Sequence, residues 1–241
     1  MKTSNKILVG MLTVLLLIPA FILVAFSIKV KNGDFSIELT EWEQEARKVK
    51  PIANANFIKL KTPGSSKLEC TIHYSDSVYY RKFGSGKDSL SVEKSGDTLC
   101  FNVITRHETK EGEERSEIFV DIFMPFKGLL MLDGAAATLD SVAADAEISV
   151  EMINKSSLNL GNPRPENRKN IRMAALQVNG DASAVYLFDN TQIDKLSLNM
   201  GGNSNLFFGK DLAIGSLNGM VSAATEVNGA AKWIYQLKPL P

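Results

Sequence analysis

The chain has 241 residues, and its 27 Lys and Arg are balanced by 27 Asp and Glu. Zero net charge leaves no electrostatic footprint for nucleic acid, so no nucleic-acid partner is expected. Without its apolar N-terminal run, about 210 residues remain, enough for one substantial core.

A short tail, residues 1–6, leads into residues 7–28, ILVGMLTVLLLIPAFILVAFSI, which hold no charged side chain. At about 1.5 Å per residue, a helix of this length crosses a hydrocarbon core of about 30 Å, so a retained transmembrane anchor is expected. Pro19 in its middle is better tolerated in a membrane than in water. The competing reading is a signal peptide cleaved after Ser27, at the small-x-small spacing Ala25-Phe26-Ser27. Against it, an apolar signal core usually has about 7–15 residues. Lys2 and Lys6 before the run nearly match Lys29 and Lys31 after it, so charge barely orients it. The short tail and large following domain point to export of the bulk of the chain, to the periplasm or cell surface.

Residues 29–50 read as a linker. Within it, residues 40–48 suit a short helix, since Thr40 followed by Glu43 forms a capping box. Trp42 fits either the membrane interface or the face of the next domain. From residue 51 the pattern becomes all-β. Residues 57–61, 67–74, 89–94 and 98–105 alternate apolar and polar side chains between Gly, Asp and Ser turns. Cys70 shares an apolar face with Leu68 and Ile72, whereas Cys100 shares the polar face of Thr98 and Asn102. Free thiols are the simpler reading; pairing remains open in an oxidising compartment.

The charged run RHETKEGEERSE, residues 106–117, lies between two strand-like segments. It reads as a long hairpin with its tip near Glu111-Gly112. Beyond residue 128 the texture changes, and short strand pairs recur to Leu217-Asn218-Gly219. Gly180, Ser183, Val185 and Leu187 align with Gly201, Ser204, Leu206 and Phe208 at an offset of 21 residues. Units of this length suggest a β-solenoid, with coils 128–241 following a strand-and-hairpin part, 51–127. A β-sandwich or open barrel is the alternative. Residues 162–170, NPRPENRKN, should protrude as a loop. Residues 232–237, KWIYQL, read as a terminal strand whose large side chains cover the last coil, with Pro239 and Pro241 ending further pairing.

The alternating strands leading to residues 89–99, SLSVEKSGDTL, and the spaced Gly-x-x-Ser turns resemble bacterial auto-transporter adhesin head domains, also called GIN domains. The likeness covers roughly residues 50–235. It implies a right-handed parallel β-helix-like fold with no assigned activity. Where that family repeats Gly-Ser-Gly, this chain has Gly134-Ala135-Ala136, Gly180-Asp181-Ala182 and Gly201-Gly202-Asn203.

No chemical constellation stands out. His73 and His107 lack any His-x-x-x-His, Cys-x-x-Cys or carboxylate cluster, so neither a metal nor a cofactor is expected. No Gly-x-Ser-x-Gly elbow or phosphate loop occurs. A polysaccharide-acting β-helix enzyme would need carboxylates arranged across coils. Asp181, Asp189 and Asp194, with Arg164, Glu166 and Arg168 on the insertion, are the candidates, but no repeated spacing stacks them. No catalytic residue is therefore assigned, and the expectation is a non-catalytic envelope protein for adhesion or scaffolding. An accessory or regulatory subunit of an envelope complex is the other alternative. Contact with a protein or glycan is expected at the protruding loops, through Arg106, Lys110, Glu111 and Arg115 on the first and Arg164, Arg168 and Lys169 on the second.

Overall fold

Side chains along most strands of this protein alternate between buried and more exposed, and the buried ones from two sheets meet in one core. The structure is a computed structural model describing residues 3–31, 48–63, 66–85, 88–105, 116–161 and 169–240. The chain divides into two compact units, Met1–Thr40 and Glu41–Pro241.

In the first unit, α1 spans Thr3–Lys31 and contains the whole apolar run, with Pro19 inside and Lys29 and Lys31 in its last turn. Its described large side chains, among them Leu15, Phe21, Leu23 and Phe26, are exposed. Among the described residues, no helix is long and apolar enough to cross a membrane, so membrane insertion does not follow from the structure. The short helix expected at residues 40–48 falls almost wholly outside the described residues.

The second unit is all-β. Its first sheet runs, in spatial order, β1 (Val49–Pro51), β4 (Tyr79–Ser85), β7 (Glu117–Phe123), β3 (Lys67–His73), β9 (Ala136–Leu139), β11 (Ser157–Leu160), β13 (Ala184–Leu187), β15 (Asn205–Phe208) and β17 (Glu226–Gly229). The second runs β18 (Leu237–Pro239), β16 (Ala213–Val221), β14 (Thr191–Gly201), β12 (Ile171–Asp181), β10 (Glu147–Ile153), β8 (Leu129–Asp133), β2 (Phe57–Lys61), β6 (Thr98–Ile104) and β5 (Ser89–Ser95). From β8 onward the chain alternates between the sheets, and from β10 onward each strand pairs in parallel with the one two places earlier. Ser157 lies opposite Ala136, and Asn205 opposite Ala184, each pair 21 residues apart.

That register keeps like side chains in line. Cys70, Ala137, Leu158, Val185 and Leu206 follow one another across the first sheet, all facing inward and nearly inaccessible. They meet inward residues of the second sheet such as Phe101, Leu132, Val150, Val178 and Leu198. In β12 the alternation slips at Ala174-Ala175, where two successive side chains lie outside. Both of their N–H groups donate to the Ala146 carbonyl, at 3.1 Å each. This local bulge bends the strand. The same slip recurs at Asp194-Lys195 in β14, where Lys195 lies opposite Ala175, so the two neighbouring strands bend together.

The first part of the domain is threaded out of order. β2 lies between β6 and β8, and β3 lies between β7 and β9, all in parallel. The segment running β6 to β7 is therefore inserted outside the segment running β2 to β3. The antiparallel strands β4 and β5 then close that end. The long hairpin expected around residues 106–117 is thus corrected. Its flanking strands, β6 and β7, belong to different sheets, and β6 turns back on β5 through Gly96-Asp97 instead. Local alternation cannot show which partner a strand takes.

Two further corrections concern the C-terminal end. The repeating pairs do not stop at Gly219, because β17 and β18 follow. Residues 232–237 are not a strand: Ala231–Ile234 form a single helical turn, α2, and pairing resumes only at Leu237. Trp233 and Leu237 nevertheless pack against the core. Covering the end of the core needs apolar area there, which a helical turn supplies as well as a strand.

Candidate binding face

The outward positions of β3, β7 and β4 fall into rows because the three strands are in register. His73, Phe123 and Tyr79 lie opposite one another. The Phe123 ring stacks between the other two, at 4.5 Å from each. Thr71, Asp121 and Arg81 form the next row, and Glu69, Phe119 and Phe83 the one after. Phe83 and Phe119 stack at 5.7 Å. All these rings are partly exposed on the side away from the core. Cross-strand ring pairs of this kind stabilise a sheet, yet they also present apolar area outward.

The charges among them are matched. Arg81 donates to Asp121 at 2.9 Å, and its guanidinium lies over the Phe123 ring. His73 Nδ1 meets Asp140 at 3.0 Å, and Lys169 also pairs with Asp140. Asp140 is only 8% exposed, so the two basic partners offset a carboxylate largely withdrawn from water. With the His73 ring packed face-on against Phe123, this group is a positioning network. Behind it, the Cys70 thiol is fully buried, and burial first, then the Asp121 charge, pushes its pKa well above the ordinary thiol range. It is no nucleophile.

Beside the rings the face drops. Ala136 and Thr138 of β9 and Ser157 and Asn159 of β11 are small, and Asn159 donates to Thr138 Oγ1 at 3.2 Å. With Glu69, Thr71, Phe119 and Asp121 they line a hollow of about 150 Å³. On its far side Tyr186 lies directly opposite Asn159, with Phe207 next to Tyr186. The hollow is therefore flanked by rings on both sides. The second sheet's outer face carries hollows of about 390 and 380 Å³ lined by polar side chains such as Ser149, Gln177 and Asn199 and by aliphatic ones such as Leu176, Leu196 and Ile153, with no ring among them.

Of the residues expected to touch a partner, Lys169 alone is among those described. Arg106, Lys110, Glu111, Arg115, Arg164 and Arg168 lie outside the described residues, as do His107 and Glu166. Lys169 is described, exposed and engaged with Asp140. The described enzyme candidates, Asp181, Asp189 and Asp194, do not converge. Asp181 ends β12, while Asp194 lies near the start of the neighbouring β14. In register they are seven residues apart, roughly 23 Å along the strands. Asp189 sits in a turn and accepts the Asp211 N–H. Among the described residues, no group of three or more His, Cys, Asp or Glu side chains could hold a metal ion. Sequence reading missed His73, Asp121 and Phe123. Their outward alternation is visible in TIH and FVDIF, but their neighbourhood depends on the non-sequential pairing of β3 with β7.

Fold and face together define an all-β protein with two nine-stranded sheets, one of them bearing rings on its outer side. No family model matches the chain, and no curated protein matches it. Among solved structures, the chain is similar to a "putative adhesin" from Parabacteroides merdae, with 10% identity, 76% of this chain and 79% of that one covered, and a TM-score of 0.45. It is also similar to a "putative cell adhesion protein" from Clostridium sporogenes, with 12% identity, coverage of 69% and 71%, and a TM-score of 0.29. At those scores neither likeness decides the fold or the role of this chain.

Proposed function

We propose that this is a non-catalytic envelope protein of the GIN-domain type, tethered by its N-terminal helix, which binds a partner through the outer face of a β-solenoid. The observation that carries this reading is the outward rings of the first sheet, His73, Phe123, Tyr79, Phe83 and Phe119 in stacks, with Tyr186 and Phe207 across the hollow. Rings on the outer side of a sheet add little to the core, while clustered exposed apolar area marks interaction surfaces. The parallel alternation of strands between two sheets supports the solenoid part. The uncharged run at residues 7–28 and the exposed apolar side chains of α1 support the tether.

Two measurements test the proposal. Full-length protein should stay with membranes through an alkaline wash and leave only with detergent. Release by the wash would remove the tether. Cells displaying the protein should lose adhesion to a surface or to other cells when Tyr186→Ser and Phe207→Ser are combined. Unchanged adhesion together with an unchanged melting temperature would overturn the binding-face reading.

A further inference from the structure

We infer that the hollow between β7 and β13 is a subsite for one sugar unit of an uncharged glycan; this rests on the binding-face reading above. The first argument is charge complementarity. The carboxylates lining the hollow already have cations: Glu69 meets Lys67 at 2.6 Å, and Asp121 meets Arg81 at 2.9 Å. Lys67 also meets Glu117 at 3.6 Å, so among the described residues around the hollow no surplus positive charge is left to draw in an anionic chain.

The second argument is hydrogen-bonding character. Among the described residues, the hydroxyls of Thr71 and Ser157 have no partner within the chain, so both can donate and accept. Asn159 gives its amide N–H to Thr138 and keeps a carbonyl oxygen for a donor. Each ionised carboxylate retains acceptor sites beyond its ion pair. A sugar offers hydroxyls that donate and accept at once, which matches this mixture. A peptide backbone would need a free strand edge to pair with, and β3, β9 and β11 lie in the middle of the sheet.

The third argument is shape. A sugar ring has an apolar C–H side that lies against aromatic faces, and rings flank this hollow: Phe119 with Phe83 on one side, Tyr186 with Phe207 on the other. At about 150 Å³ the hollow is well below the usual small-molecule pocket of about 300–1,000 Å³. One sugar unit enters, and the rest of the glycan lies across the rings. Contact through one unit is weak, so useful adhesion comes from many copies on one surface meeting a repeating polymer.

The test uses full-length protein in detergent micelles, incubated with cellulose, chitin and mannan, and with alginate as an anionic comparator. The expected result is retention on at least one uncharged polymer. Asn159→Ala combined with Thr71→Val should then lower the bound fraction about tenfold, as should Phe119→Ser, while Gln177→Ala on the other sheet binds as the parent does. Melting temperatures show whether each variant is folded, and the Asn159/Thr71 pair, at outward positions, keeps the test valid if Phe119→Ser unfolds. Failure of the parent to bind any uncharged polymer, retention on alginate alone, or equal retention of the variants overturns the inference. If cell adhesion still depends on Tyr186 and Phe207 while no polymer is held, the sugar subsite falls and the binding-face reading stands. If the face variants alter neither, both fall.

Discussion

The backbone N–H of Ser183 donates to the hydroxyl oxygen of Ser204, at 3.2 Å, across two successive corners of the domain. The Ser204 hydroxyl in turn donates to the Gly201 carbonyl, and that of Ser183 to the Asp181 carbonyl. Both serines are nearly inaccessible. Each corner thus satisfies backbone groups of its own turn and of its neighbour. Ser204→Ala removes the acceptor and strands a buried N–H, so it should cost about 1–3 kcal/mol. The midpoint of urea unfolding, with an unchanged slope, measures this. Ser204→Thr, which keeps the hydroxyl, should recover most of it.

A second prediction concerns Gly128, beside the start of β8. A Cβ there would come within 1.9 Å of the Asn56 carbonyl oxygen, and that oxygen also accepts the Leu129 N–H at 2.9 Å. The contact is backbone to backbone, so no side chain can swing aside. Gly128→Ala should force β2 and β8 apart and cost at least about 2 kcal/mol. Calorimetry should show a lower melting temperature; no change would mean that the two strands are not this close.

How far the sequence reveals this fold can be judged from the repeat itself. The offset of 21 matches the first sheet, where Val185 lies opposite Leu206 and Leu187 opposite Phe208. It is one residue out in the second sheet, where Gly180 lies opposite Met200 and Asp181 opposite Gly201. The difference is absorbed at the corner, since residues 182–183 join β12 to β13 whereas 202–204 join β14 to β15. Ala182 and Gly202 both adopt positive φ there. Alternation located most strands because one face of each is buried. It could not locate the binding face, because Phe123 and His73 are 50 positions apart and only register unites them. The expected strand at residues 232–237 failed for a related reason: large apolar side chains report burial, not backbone conformation.

The core yields a third prediction. Phe208 is fully buried in β15, and its neighbours across the sheet are Leu187 and Gly229. Phe208→Ala leaves a cavity that the small residues around it cannot fill, and it should cost about 3–5 kcal/mol. Denaturant unfolding checks this. Phe207→Ala, at the next residue but on the outside, should cost far less.

The two thiols make a fourth. Cys70 is buried in the first sheet, while Cys100 lies on the outer side of β6 in the second, and both are free. Maleimide should modify Cys100 in the folded protein and reach Cys70 only after unfolding. Because burial raises the Cys70 pKa above its ordinary 9.0, the folded chain holds this proton to higher pH than the unfolded chain. Its contribution to stability is complete below about pH 9 and is lost as pH rises further. Tyr80, also raised by burial, acts in the same direction. Unfolding midpoints at about pH 8 and about pH 10 should therefore differ less in Cys70→Ala than in the parent.

A fifth prediction separates the members of the charged group. Asp140 is withdrawn from water and serves both His73 and Lys169, whereas Lys169 is 59% exposed. Asp140→Ala should cost about 2–3 kcal/mol. Lys169→Ala should change stability by under about 1 kcal/mol, as surface ion pairs do. Equal effects from the two would show that Asp140 is not held as the structure places it.

The inserted β6–β7 segment also has a consequence in time. β2 has both of its neighbours only once β8 has been made, and β3 only once β9 has, because each lies between one strand that precedes residue 124 and one that follows residue 128. The strands β2, β3 and β6 to β9 therefore close together, as a slow nucleus rich in long-range contacts. Each later pair of strands can add to the finished edges as it emerges. A chain synthesised from its N-terminus thus spends its longest unprotected interval early, and a truncation before residue 139 should yield no folded product, whereas one after β13 should keep most of the structure.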